Sequence, residues 1–347
     1  MLPMTASQRW LRRLAVASIF LVSIVVILGA WTRLTDSGLG CPDWPGCYGY
    51  INVMKAHSLV NEVNSQNPGQ LRDAFTTIPE MVHRYAATLL GLFILIIAGL
   101  SWKNRKLAGQ PFKLPLFLLV MVIAQGILGK WTVTMGLQPT IVMLHLMGGF
   151  TTFTLLVLLT ARLYQWPRFL NDADVRNLKP LAYGALSAVI LQIALGGWVA
   201  SNYAAVACTT LPVCEPGWTE QLNFKEALTF WGHEHDQPDY EFGVKSSEAR
   251  TTIHVMHRFG ALLVIVVMGW LVWRIRQQAN SSFYKRFSTV LGVLLSWQIL
   301  LGVLNVVLAI PISIAVAHNF FGVVLLAALV LFIRAIHVKC PSPTRTD

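Results

Sequence analysis

Four histidines carry the residue type and spacing most able to do chemistry in this chain. His83, His145, His257 and His318 each stand a few residues inside one end of a long apolar segment. They fall into two sets: His257 follows His83 by 174 positions and His318 follows His145 by 173, with gaps of 62 and 61 inside the sets. The first and third share their surroundings, Met81-Val82-His83-Arg84-Tyr85-Ala86 against Val255-Met256-His257-Arg258-Phe259-Gly260. A strongly polar side chain within an apolar span is costly and marks function by default. Two imidazoles on neighbouring helices can supply both axial ligands of one haem iron, with the flat apolar porphyrin lying between helices. That pairs His83 with His145 and His257 with His318. Gly91, Gly148, Gly149, Gly260 and Gly322 nearby permit close approach. Two alternatives stand beside this reading. The histidines could hydrogen-bond across helices and bind nothing, or all four could form one tetrahedral zinc site; pairing within the sets favours two sites.

The neighbours of the histidines separate the two sets. Glu80 stands one helical turn before His83 on the same face, while the matching place before His257 holds His254. One carboxylate beside one site suggests two different jobs, although a glutamate also suits the first turn of a helix. Arg84 and Arg258 follow the first and third histidines directly. They could pair with haem propionates or snorkel to lipid headgroups. Four of the five cysteines lie in two loops, Cys41 with Cys47 and Cys208 with Cys214. An oxidising outer compartment favours disulfides there, and the prolines in each short loop bend its ends together. Such a pair is either a staple shaping a lid over each site or a thiol redox centre. Cys340 is unpaired and receives no role. The stretch 231–236 is rich in metal-type residues but lacks a recognised ligand spacing.

The elements that must position these groups are membrane spans. The chain is 55% hydrophobic and 12% charged, against roughly 25% charged in soluble domains, which excludes a cytosolic or secreted enzyme. Eight segments reach spanning length, near 14–31, 80–102, 114–133, 140–163, 181–201, 251–275, 288–309 and 313–335. Arg9, Arg12 and Arg13 precede the first, which runs on without a small-residue cleavage site and reads as a retained helix. With both termini cytoplasmic, most basic residues fall in inner loops, which accounts for the net charge of +11 without nucleic acid. The long loops 32–79 and 202–250 then face the periplasm or its equivalent, locating the chain in a bacterial inner membrane. The connections 135–139 and 310–312 predict tight hairpins, and all four histidines lie about one turn from the outer face. The repeat also covers Gly29-Ala30-Trp31 against Gly196-Gly197-Trp198, the cysteine pairs, and Gln125-Gly126-Ile127-Leu128-Gly129 against Gln298-Ile299-Leu300-Leu301-Gly302. The expected fold is all-α: two pseudo-symmetric four-helix bundles, 1–165 and 166–347, related by an axis along the membrane normal.

At these residues the chain resembles the haem A synthase family over nearly its whole length. The resemblance rests on Glu80-x-x-His83-Arg84, on Gly38-x-Gly40-Cys41-Pro42-x-Trp44-Pro45-x-Cys47, and on Leu144-His145, His257-Arg258 and Ala317-His318. It implies a membrane enzyme that oxidises a methyl group of haem O to the formyl group of haem A through a hydroxymethyl intermediate. It further implies substrate haem O at His83 and His145 in the amino-terminal bundle, with Glu80 as the catalytic carboxylate, and haem b at His257 and His318 in the carboxy-terminal one. The pair Cys41 and Cys47 matches one tied to haem transfer or stability; a second pair, Cys208 and Cys214, is a variant pattern. Implied partners are a haem O synthase upstream and a membrane electron donor or acceptor, and a homo-oligomer is compatible. Two rival functions stay open, a dihaem b electron carrier using quinol and a quinone-linked thiol oxidase. A transporter fits less well, because the polar residues cluster near one face rather than at the midplane.

Overall fold

The structure is a computed structural model and describes residues 5–107, 109–167, 172–232 and 237–338. Cys340 and residues 233–236 of the metal-type stretch lie outside the described residues, as do Arg168, Lys339 and Arg345. Among the described residues the regular elements are helical. Eleven α-helices run in chain order: α1 Ala6–Leu34, α2 Val53–Gln66, α3 Ala74–Lys103, α4 Lys113–Thr134, α5 Pro139–Leu163, α6 Ala173–Arg176, α7 Lys179–Ser201, α8 Phe224–Ala227, α9 Ser247–Gln278, α10 Ser282–Val307 and α11 Ile312–His337. Eight of them are long and apolar enough to cross a membrane: α1, α3, α4, α5, α7, α9, α10 and α11. These are the eight segments expected from hydropathy.

Several helices outrun their apolar segments because caps, not hydrophobicity, set their ends. Asp73 accepts from Phe75 N and starts α3 before Glu80; Ser246 accepts from Ala249 N and starts α9 ahead of its apolar run. Pro79 is the sixth residue of α3, so the helix lacks the N–H that would bond to Phe75 O. The amphipathic α2, opened by an Asn52 cap, was not foreseen.

α1, α3, α4 and α5 pack in a ring of neighbours, as do α7, α9, α10 and α11. The rings meet through α1, α5, α7 and α11, with Phe153 of α5 edge-on to Phe320 of α11 at 6.2 Å. Half of the α11 apolar window is buried (50%) against 6% for α4, which places α11 centrally and leaves α4 to lipid. Lipid offers no hydrophobic drive between helices, so these contacts rest on close packing. The two hairpins close alike. After α4, Gly136 N donates to Val133 O and Leu137 N to Thr132 O; after α10, Ala309 N donates to Val306 O and Ile310 N to Asn305 O. Both are Schellman turns with a left-handed residue after the cap. Ala309 holds a conformation that Gly136 holds freely.

The loop between α7 and α9 crosses onto the other ring. Tyr240 N donates to Gly136 O, Gln138 Nε2 donates to Phe230 O at 3.0 Å, and Arg72 pairs with Asp239 at 2.9 Å and with Glu241. Breaking a fully buried pair costs about 3–5 kcal/mol. Arg72 is 38% exposed, so Arg72→Ala should cost on the order of 1 kcal/mol. Limited proteolysis in detergent should then cut the α7–α9 loop several-fold faster than in the parent protein; an unchanged rate would show that the clamp does not hold the loop.

Candidate functional site

Each of the four histidines faces a glycine on the neighbouring helix. A Cβ added to Gly29 of α1 would lie 3.0 Å from His83 Cε1 of α3, and one on Gly129 of α4 would lie 3.3 Å from His145 Cε1 of α5. The repeat returns the same pairs: Gly196 of α7 against His257 of α9 at 3.1 Å, and Gly302 of α10 against His318 of α11 at 3.3 Å. Each seat lies five residues before its helix ends. A Cβ at these approaches would press on the imidazole, which would have to shift by a few tenths of an ångström. His83 on α3 and His145 on α5 stand diagonally across the first ring, and His257 on α9 and His318 on α11 diagonally across the second.

The expected helper glycines divide differently. Gly91 and Gly149 have no close neighbour, whereas Gly148, Gly260 and Gly322 receive the amides of Gln125, Gln192 and Gln298. A glycine on the histidine's own helix cannot seat that imidazole; the seat lies across the helix pair. The four seating glycines, Gln125 and Gln298 were visible only as repeat markers and Gln192 was not marked at all; the seats' shared distance from helix ends is the signal that finds them.

Glu80 is 5% exposed and fully engaged. Cys41 N donates to its Oε2 at 2.9 Å and Arg84 pairs with its Oε1. The approach of Cys41 depends on Gly40, where a Cβ would strike the Thr76 backbone of α3. Arg84 also donates to Asp43 O at 2.9 Å, Pro45 O at 3.3 Å and Gly46 O. Cys41 and Cys47 form a disulfide with S–S 2.01 Å, and both are 0% exposed. Asp43 closes the loop by accepting from Tyr48 N and Gly49 N.

The second set repeats the scaffold with other residues. Arg258 donates to Cys208 O at 2.8 Å, Thr210 O at 2.6 Å and Val213 O, around the disulfide Cys208–Cys214. His254 takes the place of Glu80, buried, with Nδ1 unpartnered. Glu215 closes this loop, accepting from Thr209 N at 2.8 Å and Thr209 Oγ1 at 2.6 Å. Those bonds hold its carboxyl down at about 2, so it is a carboxylate at any ordinary pH. Cys208, Cys214 and Glu215 lie within metal-ligand reach of one another, but both sulfurs are spent in the disulfide.

The residues fit a tetrapyrrole in each ring. Nδ1 of His83, His145 and His318 is buried without a well-aligned partner, and the backbone of Val25, Gln125 and Gln298 lies beside these rings. A buried Nε–H of Arg258 beside His257 is also unpartnered, a cationic donor suited to a propionate. The arginines' remaining donors go to loop carbonyls, contacts that neither of the sequence-based options for them included.

An eight-span helical bundle with four imidazoles against glycines, beside disulfide-closed loops, defines a polytopic membrane protein. Residues 12–330 match the COX15-CtaA family of cytochrome oxidase assembly proteins. The chain is 42% identical over 336 residues to a heme A synthase of Shewanella oneidensis, covering 97% of this chain and 98% of the relative. It is 28% identical over 352 residues to one of Beijerinckia indica, with 94% and 92% covered, and 25% identical over 343 residues to one of Brucella anthropi, with 94% and 92% covered. The chain belongs to the haem A synthase family.

The Arg84 contacts give a test of the loop. Removing charge-assisted bonds worth about 1.5 kcal/mol with Arg84→Ala should raise the rate at which dithiothreitol reduces Cys41–Cys47 about tenfold. Alkylation and mass spectrometry read the rate, with Cys208–Cys214 as the internal reference. Equal protection in the variant would show that the arginine does not hold the loop closed.

Proposed function

We propose that the chain oxidises the methyl group of haem O to the formyl group of haem A, in two successive two-electron steps through a hydroxymethyl intermediate. The amino-terminal unit, 1–165, takes haem O between His83 and His145. The carboxy-terminal unit, 166–347, holds haem b between His257 and His318 and relays electrons to a membrane partner. The observation that carries this reading is the asymmetry around four equivalent seats: a single buried carboxylate, Glu80, beside only one of them.

A bound haem supplies the iron-centred oxidising power that no side chain has. The protein's part is placement. The imidazoles fix the plane and depth of the ring, and the seating glycines fix the imidazoles. Glu80 meets the substrate edge with a carboxylate able to stabilise positive charge or take a proton at Oε1 or Oε2. Arg84 and Cys41 N hold that carboxylate in one orientation. Arg84 and Arg258 would pair with the propionates of the two rings. His254 in place of an acid suits the second site to electron transfer. Both loop pairs are closed as disulfides, as a structural staple requires.

Several features support two pseudo-symmetric bundles about an axis along the membrane normal. The Schellman turns recur after α4 and α10, and left-handed residues recur at Asp36 and Tyr203. With both termini cytoplasmic, the disulfide loops and seats face the periplasmic side of a bacterial inner membrane. A haem O synthase is the natural supplier of so apolar a substrate.

Glu80→Ala, expressed beside a haem O source, tests the assignment. Positioned acid–base groups contribute about 10²–10⁴-fold, so extracted haem A should fall at least 100-fold while haem b in the purified protein is retained. Haem A output at the parent level would remove the catalytic role given to Glu80.

A further inference from the structure

α9 and α10 part around a groove of about 460 Å³, a volume within the range of small-molecule sites, about 300–1,000 Å³. Val272 and Arg276 of α9 form one wall. Thr289, Gly292, Ser296 and Trp297 of α10 form the other, which runs down to Leu300. Arg276 stands 19 residues after His257 on the same helix, about 28 Å along its axis. The mouth of the groove therefore lies at the far end of the molecule from the imidazole seats.

The repeat shows what opens it. Equivalent positions follow from the offsets of 174 between α3 and α9 and 173 between α4 and α10. Gly292 and Ser296 stand where α4 has Leu119 and Ile123, Thr289 where it has Leu116, and Arg276 where α3 has Trp102. Where the first ring carries bulky apolar side chains, the second has space, hydroxyls and a cation. A Cβ on Gly292 would meet Val272 Cγ1 at 3.5 Å, an ordinary contact, and a side chain extending beyond it would enter the groove.

The mouth is basic. Arg276 Nη1 donates to Thr289 Oγ1 at 3.2 Å, which turns the guanidinium onto the α10 wall. Lys285 lies one turn before Thr289 on the same face of α10, and both Lys285 and Arg276 are exposed. Between Glu248 and Asp347 the sequence has no acidic residue. Asp172 and Asp174, from the preceding segment, bond to Asn280 and Ser281 at the α9–α10 turn. A guanidinium beside a hydroxyl recognises phosphate. From Thr289 to Leu300 is 11 residues, about 16 Å, which matches one leaflet, half of a hydrocarbon core about 30 Å thick. Among the described residues that line the groove none is a carboxylate or an imidazole, so nothing there takes the protons that a quinol gives up.

We infer that this groove binds an anionic phospholipid, its phosphate on Arg276 and Thr289 and one acyl chain lying along Gly292 and Ser296 toward Leu300. Basic pockets between membrane helices on the cytoplasmic side suit such headgroups, and the orientation proposed above puts the mouth on that side. The lipid supplies the apolar filling that Leu119 and Ile123 supply in the first ring. Its chain ends two residues before Gly302, the seat of His318. The inference requires no haem at either pair of histidines.

The test titrates delipidated full-length protein, in a neutral detergent, with dioleoylphosphatidylglycerol or dioleoylphosphatidylcholine. Native mass spectrometry counts bound lipid, and circular dichroism follows melting. The parent should bind one phosphatidylglycerol about fivefold or more tightly than phosphatidylcholine and melt higher with it. Arg276→Gln should weaken that phosphatidylglycerol about five- to tenfold and leave phosphatidylcholine as in the parent; Arg276→Lys should restore part of the preference. Gly292→Leu/Ser296→Ile, which copies the first ring, should lose the tight lipid and raise the melting temperature of the lipid-free protein, a gain that misfolding cannot produce. Arg105→Gln, at the corresponding end of the first ring, should leave the titration unchanged. Equal affinity of the parent for the two lipids, or an intact preference in Arg276→Gln, would overturn the inference. A short-chain ubiquinone that displaces the phosphatidylglycerol, and is itself lost in Gly292→Leu/Ser296→Ile, would overturn the choice of occupant.

Discussion

A ring side chain on a membrane helix needs room that a close-packed neighbour does not leave, and in this molecule four glycines make that room. Helix axes in contact run about 8–10 Å apart, and an imidazole laid across that gap meets the facing Cβ unless there is none. Gly29, Gly129, Gly196 and Gly302 therefore do more than permit close packing: they fix where each imidazole can lie. Because each is five residues from the end of its helix, the turns that stop those helices also set the depth of the imidazoles. The Schellman turns after α4 and α10 are thus part of the site, although neither touches a histidine.

The loops above the seats are tied to the same helices by charge. Arg84 gathers three loop carbonyls and the Glu80 carboxylate, so one guanidinium links the disulfide loop to the acid beside His83. Guanidinium geometry suits this: several donors in one plane serve several acceptors at once. Arg258 does the same for its loop, without an acid. The disulfide makes each loop stiff enough to present its carbonyls inward, and the arginine neutralises a cluster of dipoles that would otherwise face an apolar interior. Covalent closure and charge pairing therefore act on one unit.

The spans, the hairpins and the cysteine pairs were legible because each has a local or periodic signal. Apolar length marks a span, and a constant offset marks a repeat. The helix ends were less legible, since caps such as Asp73 and Ser246 extend α3 and α9 into polar sequence that hydropathy reads as loop. α2 was missed for the same reason: its 14 residues carry an amphipathic pattern too short to stand out inside a long loop. The seating glycines were written in the sequence as repeat markers, yet glycine is frequent in membrane helices, and only the facing imidazole distinguishes a seat from a packing position. The arginine contacts were illegible because their acceptors are backbone carbonyls some 40 residues away in sequence, and a carbonyl has no residue type.

Comparison of the repeats locates where the halves diverged. The α4–α5 and α10–α11 hairpins keep the same seat, the same glutamine and the same turn. The differences gather on the other pair of helices and its loop: Glu80 against His254, Val25 against Gln192, Ala86 against Gly260, and Asp43 against Glu215 as the residue that closes the loop. The acid and the buried disulfide loop of the first ring belong to α1, α3 and the segment between them, and their counterparts to α7, α9 and theirs, so the divergence sits on one helix pair of each ring while the hairpin pair keeps its seat and turn.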